Sequence, residues 1–346
     1  MALRWMEGFE NDQTITDLTR KYATAPAAVA LATGRLLGKA FSFVGATSGC
    51  SFRTPSLGAQ STWYVGMSMF VSSGQMGNAF APMALYTGTS SQISLNVSVT
   101  SNLQYVLILK RGATTIATSA ALSCGVWATV EMKIVINTST GSYDVRVNGT
   151  SVMSGSGVNT ANAGGTTADA VEFHGFDAGS GSSILYDDIY VFDSTGSTNN
   201  NFVGTVVIEG LFPNADGATD DWNTLSGGSH YAEVDEQNAD DDTSYIETPD
   251  NAKKDLFGFS NLSFISGNIL GVQVNTQAKV SISGTRTFSH VFRDGTLTTE
   301  DTKTAKSVTS TTYDHFFDVW DQNPQSAAPW TVSDVNNAQF GVLSVA

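Results

Sequence analysis

Polar and apolar side chains alternate along Gly141–Thr150 (GSYDVRVNGT) and Ser183–Asp193 (SILYDDIYVFD). This is the period-two pattern of a strand with one buried face. Shorter runs of the same kind come at close intervals through the first half: Ala40–Val44, Thr62–Val71, Phe80–Tyr86, Ile93–Thr100, Tyr105–Arg111, Thr114–Thr118, Trp127–Asn137, Tyr143–Asn148, Ala170–Gly175 and Ile184–Phe192. Within Thr62–Val71, Trp63, Val65, Met67 and Met69 alternate with Tyr64, Gly66, Ser68 and Phe70. Many short strands separated by Gly, Ser and Asn predict an all-β chain, with a two-sheet sandwich or jelly roll at its start. Thr138–Gly141 has the composition of a hairpin turn, and Asn148-Gly149 that of a tighter one, since both residues tolerate positive φ. Lys21–Leu37 is the best helical candidate. Pro26 limits its length, and a loop wrapping the first sheet fits the same residues.

The polar run Ser194–Asn201 (STGSTNNN) is the natural boundary. It divides the chain into domains 1–195 and 202–346, the second also mainly β. Beyond the boundary, strands are expected at Val203–Gly210, Phe257–Phe264, Ile269–Asn275, Lys279–Ser283, Thr287–Phe292, Thr311–Val319 and Gln339–Val345, with Leu256–Leu262 an alternative short helix or turn. A chain of 346 residues is long enough for two domains, each with its own core.

The net charge of −15 is unevenly spread. From Leu18 to Val130 there is no Asp or Glu, while Arg20, Lys21, Arg35, Lys39, Arg53, Lys110 and Arg111 are all cationic. From Val147 to Ala252 there is no Lys or Arg. Oppositely charged regions can face each other within the fold or between copies, or simply keep the surface solvated. The overall acidity argues against a nucleic-acid binder, because phosphate backbones demand contiguous positive charge. The N-terminus, MALRWMEGFEND, lacks the basic and apolar regions of a secretory signal, so synthesis in a cytoplasm is expected. No run of about twenty apolar residues predicts a membrane span. Cys50 and Cys124 are the two cysteines. Free thiols and a bridge between neighbouring strands are both compatible with them.

Candidate chemistry is sparse. Asp235, Glu236, Asp240, Asp241 and Asp242 form the densest set of oxygen ligands, and Asp187-Asp188 a second. Hard cations such as calcium take such ligands, but the order of a calcium-binding loop is absent, and a solvated acidic loop fits better. Sandwich glycosidases need two carboxylates across a cleft; Glu131 and Glu172 each lie on a strand but in no shared motif. His174, His230, His290 and His315 are widely separated, giving no metal or general-base pattern. The aromatics Trp222, Tyr231, Tyr245, Trp320 and Trp330 of the second half suit sugar stacking or a protein interface, and suit a hydrophobic core as well.

YDVRVNGT and LYDDIYVFD, preceded by Trp127–Val130, resemble the paired strands of concanavalin A-like, laminin-G-type jelly rolls, and Phe9–Asp12 (FEND) is similar to the start of such modules. The second half, through Pro213–Gly217, Trp222, Tyr231–Glu236, Asp241–Ile246, Trp330-Thr331 and Phe340–Val342, resembles a module of tailed-phage structural proteins. The resemblance implies a non-enzymatic virion protein (capsid decoration, head fibre or tail component), assembled in the host cytoplasm and carried on the particle. Its implied partners are other virion proteins, copies of itself and host surface glycans, with calcium an open question.

Overall fold

The computed structural model describes residues 3–12, 14, 18, 20–22, 30–44, 51–72, 80–101, 103–162, 165–174, 183–296 and 298–345. The protein is predominantly β and divides into two compact units, Met1–Ile208 and Glu209–Ala346. Among the described residues no helix is long and apolar enough to cross a membrane.

Unit 1 contains β1 (Leu3–Glu7), β2 (Ala30–Thr33), β3 (Lys39–Val44), β4 (Ser51–Arg53), β5 (Thr62–Val71), β6 (Phe80–Thr87), β7 (Ser90–Ser101), β8 (Gln104–Arg111), β9 (Thr114–Thr118), β10 (Leu122–Ser123), β11 (Trp127–Val135), β12 (Gly141–Val147), β13 (Thr150–Val158), β14 (Ala170–His174) and β15 (Ser183–Asp193). They form two antiparallel sheets. Sheet A runs β13-β12-β11-β5-β15-β3-β2, with β1 also on β15; sheet B runs β10-β8-β7-β6-β14-β4, with β9 on β8.

The expected alternation sets which face is inside. Trp63, Val65, Met67, Met69 and Val71 of β5 are buried with Val130, Met132 and Ile134 of β11, while sheet B contributes Ile93, Leu95, Val97, Leu107, Leu109, Val171 and Phe173. Aromatic rings join the two layers. Trp5 of β1 stacks on Phe173 of β14 at 6.1 Å, and Phe41 of β3 meets Phe52 of β4 at 4.7 Å. The Tyr186 hydroxyl of β15 crosses the interior and donates to the His174 carbonyl at 2.7 Å. The β12–β13 hairpin turns on Asn148 and Gly149, at φ +49° and +80°, as their composition predicts. Near the start of the unit a buried ammonium, Lys21 Nζ, donates to Glu7 Oε2 at 3.1 Å, Asn11 Oδ1 at 2.8 Å and Asp12 Oδ2 at 2.8 Å.

Unit 2 contains β16 (Pro213–Asp220), β17 (Asn223–Thr224), β18 (Ile246–Glu247), β19 (Lys254–Phe259), β20 (Val272–Ala278), β21 (Arg286–Arg293), β22 (Glu300–Thr302), β23 (Lys306–Val308), β24 (Asp314–Trp320), α1 (Val332–Asn337) and β25 (Gln339–Ser344). Its main sheet runs β16-β19-β25-β21-β22, with β23 on β21; β17-β18 and β20-β24 are separate ribbons. Helix α1 is short but fully capped. The Thr331 hydroxyl accepts from the Asp334 N–H, and the Asp334 carboxylate accepts from the Thr331 N–H, a reciprocal box that satisfies two end donors.

Four sequence expectations are corrected here, one being Lys279–Ser283, which forms no strand. Ala30–Thr33 is a strand within the segment expected to be helical, whose residues 23–29 lie outside the described set. Leu256–Leu262 is no helix, since Lys254–Phe259 is a central strand of the main sheet. Val203–Gly210 forms no strand, for a reason given below. Cys50 also lies outside the described residues.

Candidate active site

The outward face of sheet B gathers side chains that the sequence scatters over more than a hundred positions. On β14, Glu172 and His174 are two residues apart and so share a face, while Val171 and Phe173 point into the core. Register brings Arg53 of β4 opposite Glu172 and Tyr86 of β6 opposite Ala170. Arg53 Nε donates to Glu172 Oε2 at 2.6 Å, and its guanidinium carbon sits 3.8 Å from the centroid of the Tyr86 ring. His174 Nε2 lies 3.2 Å from Glu172 Oε1, and its ring stacks beside Tyr86 at 6.4 Å and 26°. Across the same level of the sheet the row continues from Glu172 to Ala84, Ser94 and Lys110. Two small residues therefore separate the cluster from a second cation.

The electrostatics poise these groups for proton transfer. Burial pushes the His174 pKa below the usual imidazole value, Glu172 opposing and Arg53 adding to the fall, so the ring is neutral at pH 7. Its Nε2 sits beside the Glu172 carboxylate, and a neutral imidazole has one ring nitrogen free to accept a proton. Burial, with Glu172 adding, raises the Tyr86 phenol above its usual value against the opposing effect of Arg53, so it stays protonated. The arrangement places a neutral imidazole beside a carboxylate, a protonated phenol next to it, and two cations on one face.

The outward face of sheet A differs, because residues 202–208 lie across it as a strap. Glu131 Oε1 accepts the Tyr190 hydroxyl at 2.7 Å, the Val203 N–H at 3.0 Å and the Gly204 N–H at 2.9 Å. Tyr190 reaches Glu131 over Gly66, where a Cβ would come within 2.1 Å of its ring. Further along, Arg35 Nη2 donates to the Val206 carbonyl at 2.6 Å, and Asp188 Oδ1 accepts the Ile208 N–H at 2.8 Å. Phe202 wedges edge-on against Tyr64 at 5.7 Å, beneath the Arg146 guanidinium. With its N–H groups taken by Glu131 and Gly204 at φ +74°, this segment has no ladder to join, which is why its alternating pattern misreads as a strand. Glu131 and Glu172 thus lie on different sheets, with Glu131 buried under the strap. They cannot serve as the facing carboxylates of a glycosidase.

The remaining candidates have structural partners. Asp187 and Asp188 tie down the β2–β3 turn: Asp187 Oδ2 accepts the Arg35 N–H at 2.6 Å, and Asp188 Oδ2 accepts Arg35 Nε and Nη2 at 2.8 and 2.7 Å. In unit 2, Ser244 Oγ lies 2.7 Å from Glu236 Oε1 and 2.9 Å from Asp240 Oδ2. Asp242 pairs with Lys279, the Asp241 carbonyl accepts the Tyr313 hydroxyl at 2.9 Å, and Asp235 is exposed. Among the described residues no group of three or more His, Cys, Asp or Glu side chains is placed to hold a metal ion; the acidic run is a tethered loop.

Trp320 and Trp330 are 2% and 3% exposed and pack with Phe292 and Phe340, so of the two readings these residues take that of a hydrophobic core rather than a contact surface. Trp222 packs against a second cluster with Val280, Phe288, Val308 and Val342, and its indole donates to the Lys253 carbonyl at 3.0 Å. Tyr231 and Tyr245 are half-buried.

Sequence reasoning did not find Arg53, Tyr86 and His174 as a group. Their one local signal is the spacing Glu172-x-His174.

No protein-family model matches the chain, and no curated protein matches it. Solved structures similar to it include an endo-β-1,4-glucuronan lyase from the fungus Trichoderma reesei (10% identity over 50% of this chain and 93% of that one, TM-score 0.37). An alginate lyase aligns at 13% identity over 55% of this chain and 95% of that one, with a TM-score of 0.38. A sialidase aligns at 13% identity over 56% of this chain and 19% of that one, with a TM-score of 0.40. These are carbohydrate-active lyases and glycosidases, not phage proteins. The expectation of a non-enzymatic virion structural protein or particle adhesin is corrected by this finding.

Proposed function

We propose that unit 1 is a concanavalin A-like jelly roll whose sheet B face binds an acidic polysaccharide and cleaves it by β-elimination. The observation that carries this reading is the Arg53–Tyr86–Glu172–His174 cluster on an acid-poor sheet. Over all seven strands of sheet B the charged residues are Arg53, Lys110, Arg111 and a single acid, Glu172.

In a uronate chain the ring carboxylate acidifies the neighbouring C–H. A base removes that proton, the adjacent glycosidic C–O bond breaks, a ring double bond forms, and the departing oxygen takes a proton. No water is consumed and no pair of facing carboxylates is required. His174 Nδ1 accepts the proton, and the resulting imidazolium is stabilised by Glu172, held in place by Arg53. The Tyr86 hydroxyl protonates the leaving oxygen. Arg53 and Lys110 supply positive charge for the uronate carboxylates on either side of the Ala84–Ser94 floor. The pKa directions give a wide active plateau, with an acid limb below the ordinary imidazole value and an alkaline limb above the ordinary phenol value.

The test is to incubate the full chain with alginate, glucuronan and pectate and follow the ultraviolet absorbance of the unsaturated product. Tyr86→Phe and His174→Gln should each lose roughly 100-fold or more in rate, with unchanged unfolding midpoints. Absence of product from every uronate polymer across the pH range, or undiminished rates in both variants, overturns the proposal.

A further inference from the structure

The other side of unit 1 carries a pocket of its own. Where the strap crosses the start of β11 it leaves a pocket of about 130 Å³, lined by Arg35, Trp127, Ala128, Thr129, Asn148 and Thr205. Its walls come from four separate places: the β2–β3 turn, the first residues of β11, the β12–β13 hairpin turn and the strap.

Each wall is fixed by contacts of its own. The Asn148 N–H donates to the Thr129 carbonyl at 2.8 Å, and the Thr129 N–H donates to Asn148 Oδ1 at 2.9 Å. The Thr129 and Thr205 hydroxyls meet at 2.7 Å, and Trp127 leans on Phe70 at 5.7 Å. Arg35 is held by Asp188 and the Val206 carbonyl.

The donors left over indicate what the pocket takes. Asn148 Nδ2, Trp127 Nε1 and Arg35 Nη1 have no hydrogen-bond partner among the described residues, and two hydroxyls complete the lining. An apolar indole surface beside several donors suits a compact ring bearing oxygen acceptors. The charge of Arg35 is already balanced by Asp188, so the pocket carries no surplus to attract an anion. We infer that this pocket is a non-catalytic binding site for one uncharged sugar ring, separate from the sheet B face. The assignment does not rest on the elimination chemistry, since the two sites share no residue.

The test titrates the full chain with glucose, galactose, mannose, cellobiose and maltose, read by saturation-transfer NMR and tryptophan fluorescence. At least one should saturate, and Trp127→Ala should weaken it by about ten-fold or more. Thr205→Val, which keeps side-chain volume while removing a hydroxyl, guards against loss of fold in the first variant and should weaken binding as well. Glucuronate and galacturonate should bind no better than their neutral counterparts. Both variants should leave product formation from uronate polymers unchanged, while Tyr86→Phe should leave neutral-sugar binding unchanged.

Neutral sugars failing to saturate, or binding that survives both pocket variants, overturns the inference whatever the elimination assay gives. Sugar binding without elimination leaves this inference standing and removes the catalytic proposal.

Discussion

Lys21 shows what a single buried charge contributes. Its ammonium is enclosed with Glu7 and Asp12. Burial by itself would lower its pKa, but the two carboxylates outweigh that and raise it above 10.5. Stability from this lysine is therefore fully present below its ordinary value and is lost as pH rises through the raised one. Lys21→Met leaves two carboxylates buried without their cation and is expected to cost about 3–5 kcal/mol, measurable by denaturant unfolding at pH 7. Asp187 shows linkage of the same sign in the acid range, although here the charged form is the disfavoured one. Burial, then the adjacent Asp188 carboxylate, pushes its pKa up from 3.8 to about 7, against the backbone N–H groups of Arg35 and Asp188 and the charge of Arg35. The folded state holds that proton more tightly than the unfolded chain, so stability falls as pH rises between about 4 and 7 and levels off above. Asp187→Asn is expected to flatten this slope, as read from urea midpoints across the same interval.

At the scale of elements, the strap is a short irregular segment held largely by side chains of the sheet beneath it. Removing the Glu131 carboxylate leaves the Val203 and Gly204 N–H groups without their acceptor and the Tyr190 hydroxyl with the Gly204 carbonyl alone. Glu131→Ala is expected to destabilise unit 1 by about 3 kcal/mol, while product formation at sheet B persists; melting curves and the absorbance assay check the two halves of that statement. The strands were legible because alternation is a local property, with Tyr143 to Val147 reading directly as inside and outside; Trp63 to Met69 alternate in type, but both of their faces are buried. The strap was not legible, since Val203–Gly210 alternates as a strand does and its partner, Glu131, lies some seventy positions earlier. The cluster on sheet B was half legible. Glu172 and His174 share a face by spacing alone, but Arg53 and Tyr86 join them only through strand register, which no local pattern carries.

For the whole molecule, the uneven charge acquires a location. The acid-free stretch from Leu18 to Val130 supplies every strand of sheet B except β14, so an acidic chain can carry that face even at net −15. Attraction of this kind is screened by salt, over about 10 Å at 0.1 M. The KM for a uronate polymer is therefore expected to rise with ionic strength. Lys110→Ala should raise KM at low salt, leave kcat unchanged and blunt the salt dependence, since it removes a binding charge rather than a proton carrier. Steady-state kinetics at two salt concentrations decides it.

Strand β15 touches β1, β3 and β5 within its own layer, holds the strap through Asp188 and through the Tyr190 hydroxyl on the Gly204 carbonyl, and sends the Tyr186 hydroxyl to the backbone of His174. One length of backbone is thus the common datum for the front and the back of the unit. A disturbance introduced at either surface has a mechanical route to the other, and the setting of the imidazole is gauged from behind, through the interior, rather than from the solvent in which its reaction would take place.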